Sequence, residues 1–265
     1  MAQLATAQFL QHLRSLYPHQ SGSPDTPSAI VGQPWYLIAA VAFSASNKPD
    51  ATAVVFQYVL NDLEKVEFAA EKDRHAARLA VARRIREAVL QSGLLSGYAR
   101  AINSLVALHG VTPPELREQT TIRNTNQHIT DYAENGKRLF KAMYGDTAEH
   151  VQTLLDEIYP DMGEQLSNIS FSLNFGADHE NTGWFSNTVG YGITYRGTNV
   201  LSQVETSYVI ATANICMDTP RQIAWHLANA RHGGATVEQA KAVREIAMEV
   251  ASAAGIQWTE AVPEV

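Results

Sequence analysis

Apolar positions recur along this chain at helical rather than strand spacing, and turn residues punctuate them at short intervals. Leu4, Phe9, Leu10, Leu13 and Leu16 mark an amphipathic helix over Gln3 to Tyr17. A polar linker with three prolines, Pro18 to Gln33, leads to Pro34, which opens an almost wholly apolar helix through Ser44. A helix apolar on every side belongs at the centre of a core. Asn47-Lys48-Pro49-Asp50 turns the chain into Ala51 to Leu63, and an Ala- and Arg-rich helix runs from Lys72 to Gln91, ended by Gly93. Tyr98 to His109 is stopped by Gly110, and Thr112-Pro113-Pro114-Glu115 restarts the chain. After the polar loop Thr120 to Gln127 come helices over Ile129 to Tyr144, Thr147 to Tyr159 and Met162 to Phe175. Gly176 to Gly183 reads as a loop, whereas Trp184 to Asn199, glycine-spaced and β-branched, fits neither period.

The last third carries three written-out helix starts. Ser202-Gln203-Val204-Glu205, Thr219-Pro220-Arg221-Gln222 and Thr236-Val237-Glu238-Gln239 each read as a capping box, in which a hydroxyl takes an orphan N–H and the Glu or Gln reaches back. Strand signals are scarce, so the fold class is all-α, built as two related helical halves. Residues 1–125 form a scaffold half and 126–265 the half carrying the site, together one compact domain. A short internal match that sets Gly110 on Gly234 places Ile102 opposite His226.

Charge and cysteine usage narrow the function. The chain has 20 Lys+Arg against 27 Asp+Glu, with no basic stripe alternating with aromatics, so no nucleic-acid partner is predicted. The short run Arg83, Arg84 and Arg86 reads as a solvated helix face. One cysteine excludes a disulfide framework, a Cys-X-X-Cys pair and a cysteine-rich zinc site within one chain. No uninterrupted apolar stretch of about 18 residues is present, so no membrane span is predicted, and the default location is cytoplasmic.

The chemistry concentrates on Glu205, Cys216 and His226. Glu205 is the capping partner of Ser202, and it also places a carboxylate on the helix that precedes the histidine. His226, among Ala224, Ala228 and Ala230, serves either as a core histidine or as a proton carrier. Cys216 lies on the face of Glu205 but roughly 16 Å along the axis, and reads as a buried hydrophobe or a lone thiol. Gln222 and Trp225 flank His226, and Tyr191 and Arg196 are candidate contacts to an anionic substrate. Asp178-His179-Glu180 holds possible metal ligands but reads as a solvated loop, so no metal is assigned.

Glu205, Ala211-Thr212-Ala213-Asn214, Thr219-Pro220-Arg221-Gln222-Ile223 leading to Trp225-His226, and Gly234-Ala235-Thr236-Val237-Glu238-Gln239 together resemble the signature of the carboxymuconolactone decarboxylase / AhpD-like superfamily. Arg86-Glu87-Ala88 and Arg100-Ala101-Ile102-Asn103 add a looser likeness to its larger fungal-type members. The resemblance implies an all-α fold of helical repeats, assembled as a homo-oligomer (trimer or hexamer) with sites near subunit interfaces. It also implies one of two chemistries. The AhpD branch uses a Cys-X-X-Cys pair before the histidine, but the matching positions here are Thr219 and Gln222. The decarboxylase branch works without metal or organic cofactor on a lactone carboxylate. The leading expectation is therefore a cofactor-independent lyase or isomerase acting on a small anionic carbonyl or lactone compound, with His226 as general acid/base and Glu205 orienting it. The alternatives are a thiol oxidoreductase using Cys216 alone and a non-catalytic helical oligomer that binds a ligand or partner.

Overall fold

The computed structural model describes residues 4–18, 25–159 and 184–265, and every regular element among them is helical. Contacts divide the chain into two units, Met1–Thr120 with Val200–Val265, and Thr121–Asn199. The all-α class read from the sequence holds. The helix predicted over Met162 to Phe175, the loop Gly176 to Gly183 and the Asp178-His179-Glu180 cluster lie outside the described residues.

The first unit comprises α1 (Ala7–Leu16), α2 (Pro27–Gly32), α3 (Trp35–Ala45), α4 (Pro49–Glu64), α5 (Glu71–Ser96) and α6 (Tyr98–Val111). Near the other end of the chain it adds α9 (Gln203–Cys216), α10 (Pro220–His232) and α11 (Val237–Ala253). Its centre is α3, buried at every position and packed against α4, α5, α9 and α11. Beside it runs α9, buried from Thr206 to Cys216 although it contains Thr, Ser and Asn. The segment Pro27–Ala45 is long and apolar enough by length and composition to cross a membrane, although Ser28, Gly32 and Gln33 interrupt its apolar run, and most of it is buried in the fold. Gln33 and Pro34 break it into α2 and α3, and Thr26 caps α2 inside what reads as a linker.

Two glycines do different work from that predicted. Gly93 lies inside α5, where a β-carbon would stand 2.6 Å from Ala101 Cβ, so its role is close approach to α6. The stop is Gly97, at φ 105°. Gly110 lies within α6, which ends instead at Thr112, whose hydroxyl donates to the Leu108 carbonyl at 2.6 Å. Gly234, by contrast, has φ 101°, so the two glycines matched in the sequence are not conformationally alike.

The second unit pairs α7 (Ile129–Tyr144) with a π-helical segment, Trp184–Tyr195, and includes α8 (Ala148–Ile158). This is the stretch that fits neither period, as a wider helical repeat should. The two helices touch through Gly136 and Gly192: a β-carbon at Gly136 would fall 1.7 Å from the Asn187 carbonyl oxygen. Arg123 closes the π-helical end by donating to the Ile193 and Thr194 carbonyls at 3.0 and 2.9 Å.

Candidate functional site

The charged centre of the first unit forms where α5, α3 and the start of α9 meet. Arg84 lies three residues after Val81 and four before Ala88, both fully buried, so an arginine occupies the apolar stripe of α5. Its side chain is 15% exposed, and that of Glu205 is 13% exposed. The guanidinium grips the carboxylate with two nitrogens: Nη2 donates to Oε1, and Nη1 donates to Oε2 at 3.4 Å. Its Nε donates to the Tyr36 hydroxyl at 2.8 Å, which donates onward to the Val31 carbonyl at 3.0 Å. Burial works against the charge on Arg84, but Tyr36 and Glu205 outweigh it and hold the guanidinium above its usual range.

Glu205 is fixed from the other side by its helix. The Ser202 N–H donates to Glu205 Oε2 at 2.9 Å and the Glu205 N–H donates to Ser202 Oγ at 3.2 Å, a complete capping box. The carboxylate thus sits at a helix N-terminus, where the backbone field favours negative charge. Near it lie Tyr17 and Tyr208, hydroxyls 3.2 Å apart and both buried. Burial raises both phenols above the usual range, Tyr208 adds to the shift of Tyr17, and the charge of Glu205 adds to both, outlasting the opposing hydrogen bond from Tyr17 to Tyr208, so both stay protonated. Only one proton can lie between the two oxygens; the other hydroxyl keeps its hydrogen to donate. Of the five guanidinium N–H groups, three are engaged by Glu205 and Tyr36. The other two lie on Nη1 and Nη2.

His226 is not part of this cluster. It is buried in α10 at 5% exposure, its Nδ1 lies 3.3 Å from Asn229 Nδ2, and burial lowers its pKa to about 3. The helical hairpin sets its distance from Glu205. A β-carbon at Gly233 would stand 2.9 Å from Val204 Cγ2, so the end of α10 lies over the start of α9. His226 is two turns earlier in α10, about 10 Å along the axis from that level. The hydrogen bonds and ion pair of Glu205 run to Ser202 and Arg84. The imidazole–carboxylate pair expected from the sequence is therefore not brought together.

The remaining candidates are scattered. Cys216 is buried at the far end of α9, donates to the Ala42 carbonyl at 3.6 Å, and has its thiol pKa pushed up to about 12 by burial. Gln222 and Trp225 are half-buried on α10. Thr219 does not close the third predicted capping box: its hydroxyl donates to Asn214 Oδ1 at 2.8 Å and to the Asn214 carbonyl, tying the α9–α10 turn. Tyr191 and Arg196 belong to the second unit. There Tyr191 is buried, donates to the Tyr144 hydroxyl at 3.2 Å and has its pKa raised by burial, while Arg196 is exposed.

Sequence reasoning missed Arg84, Tyr36, Tyr17 and Tyr208. The run Arg83, Arg84 and Arg86 is not one solvated face: Arg83 pairs with Glu118, Arg86 donates to the Ala82 and Leu116 carbonyls, and Arg84 turns inward. The available signal was the spacing of Arg84 to Val81 and Ala88.

No family model matches this chain, and no solved structure does. Two proteins of known name are similar over most of its length. Peroxisomal protein 2 of Schizosaccharomyces pombe is 28% identical over 84% of this chain and 88% of its own. Peroxisomal protein 2 of Saccharomyces cerevisiae is 25% identical over 86% of this chain and 91% of its own. These relatives overturn the cytoplasmic expectation, which rested only on the lack of a recognised sorting segment.

Proposed function

We propose that this chain acts in the peroxisome as a cofactor-independent lyase or isomerase of the carboxymuconolactone decarboxylase / AhpD-like kind, with its chemistry at Arg84 and Glu205. The observation that carries this reading is the ion pair itself: a carboxylate and a guanidinium pinned side by side, nearly buried, with protonated tyrosines beside them. The two spare guanidinium N–H groups anchor the carboxylate of a small oxo acid or lactone acid. Glu205 then takes the proton from the carbon next to the carbonyl. The electron pair of that C–H bond moves into the adjoining C–C bond, and the carbonyl π pair moves to oxygen, giving an enolate. The spare tyrosine hydroxyl donates a hydrogen bond to that oxygen. Where a C=C bond adjoins that carbon, the pair is delocalised over a dienolate, and returning the proton to its far end completes an isomerisation. His226, held neutral by burial, packs rather than reacts.

The test is proton exchange. The purified protein is incubated in deuterium oxide with a panel of small 2-oxo acids, 3-oxo acids and lactone carboxylates, and loss of C–H signal or release of CO2 is followed by NMR. The wild type accelerates exchange on a subset, Glu205→Gln lowers the rate by about 10²–10⁴, and Arg84→Lys acts mainly through a higher KM. An inert wild type across the whole panel, or an unimpaired Glu205→Gln, overturns the reading. Location is read separately, by coincidence of a tagged chain with a peroxisomal marker.

A further inference from the structure

The elements that bring residues to the Arg84–Glu205 pair are not held equally. Tyr36 comes from α3, buried at every position, and Glu205 and Tyr208 from α9, buried from Thr206 on. Arg84 lies in the middle of the 26-residue α5. Tyr17 follows α1, which is anchored by Leu10 and Leu13, each 0% exposed. The remaining wall is α2. The Val31 carbonyl in its last turn accepts from the Tyr36 hydroxyl at 3.0 Å, and that hydroxyl accepts from Arg84 Nε at 2.8 Å. Two hydrogen bonds thus separate α2 from the guanidinium. Its six residues are too few for a helix stable by itself. Ile30 is its one buried residue, Val31 is half-buried, and Gly32 is exposed with open space where a β-carbon would stand. A glycine gives up more freedom than any other residue by staying wound.

We infer that α2 is a lid on this pair, latched by the Tyr36–Val31 hydrogen bond, which unwinds between Thr26 and Gln33 to admit a small anionic ligand to Arg84. The inference rests on the proposed reaction only for what enters; the motion stands without it. Local opening takes the segment with the fewest buried contacts, so α2 lifts while α3, α5 and α9 stay in place. With α2 closed, the one hydrogen of the Tyr36 hydroxyl is committed to Val31. Once α2 lifts, that hydrogen turns to the ligand, while the phenol oxygen still accepts from Arg84 Nε. Guanidinium and phenol then present their donors to the same carboxylate.

The experiment uses the full-length chain without substrate, so its result is separate from whether any oxo acid or lactone acid reacts. Amide hydrogen exchange over 26–33 is followed by mass spectrometry, and phenylglyoxal labelling of arginines by peptide mapping. Arg83, whose side chain is 43% exposed, is the internal reference. In the wild type, 26–33 exchanges ahead of α3 and α9, and Arg84 labels slowly. Ile30→Ala removes the anchor without altering either member of the pair. It speeds exchange over 26–33 and labelling of Arg84 together, by at least about tenfold, with Arg83 unchanged. Gly32→Ala acts the other way: the methyl group has space, the unwound chain has less freedom, and both rates fall by about two- to fivefold. It alone decides the matter if Ile30→Ala does not fold. Exchange over 26–33 that waits for global unfolding, or Arg84 labelling indifferent to either substitution, overturns the lid. A lid that opens as described in a protein inert to every substrate overturns the proposed reaction instead.

Discussion

A protonated imidazole at position 226 would have to exist buried in the fold, and that cost moves its pKa to about 3 from 6.5. The consequence for stability has a definite sign. Above pH 6.5 both folded and unfolded chains hold the ring neutral, and the contribution is whole. Between 6.5 and about 3 the unfolded chain binds a proton that the folded one refuses, so stability falls as pH falls, by at most about 1.4 kcal/mol per pH unit. Urea melts of the wild type and His226→Gln at pH 7, 5.5 and 4.5 check this: the wild type loses stability more steeply, and parallel lines would remove His226 from the account. Cys216 has the matching behaviour for an acid. A thiol held near pKa 12 is essentially all protonated at pH 8, so it resists a disulfide reagent in the native protein and reacts fully once unfolded. Rapid native labelling would revive single-cysteine redox chemistry.

At the scale of elements, the two complete capping boxes permit an internally controlled comparison. Thr236 and Gln239 close the start of α11 with bonds of 3.2 and 2.9 Å and touch nothing charged in the site. Ser202 and Glu205 close α9 in the same way, but their carboxylate is also the partner of Arg84. Thr236→Ala and Ser202→Ala each cost about 1 kcal/mol of stability, measured by denaturant melts. Only Ser202→Ala also lowers turnover, because it frees Glu205 to leave its position; equal turnover in both would make the box a cap and nothing more. These starts were legible in the sequence because capping is local: the residues that make the motif are three apart. The all-apolar α3 was legible for a similar reason, since its composition alone requires burial. Trp184–Tyr195 was not, because its contact with α7 depends on two glycines, Gly136 and Gly192, far apart in the chain. The site was half legible. Glu205 is found by its cap, whereas Arg84, Tyr36 and Tyr17 come to its neighbourhood from positions more than a hundred residues away, and no spacing along the chain shows that.

At the scale of the molecule, the first unit is built from both ends of the chain, with α11 against α3 and the terminal segment strapped down beyond it. The Trp258 indole N–H donates to the Ile215 carbonyl at 2.7 Å, and Arg244 donates to the Val262 and Pro263 carbonyls at 2.8 Å each. A cut along the sequence at residue 125 and a division by contacts are therefore different operations, and only the second keeps the core in one piece. Arg84, Glu205, Tyr17, Tyr36 and Tyr208 all lie in this unit, while Tyr191 and Arg196 lie in the other. Replacing 121–199 by a short Gly/Ser linker should leave a chain that melts cooperatively, keeps Trp258 shielded from a fluorescence quencher and retains proton exchange sensitive to Glu205→Gln. If the shortened chain folds but exchanges no proton on substrates the full chain accepts, the second unit supplies part of the site, and Tyr191 and Arg196 become the first residues to replace. If it fails to fold, the two units are one cooperative structure despite their separate cores.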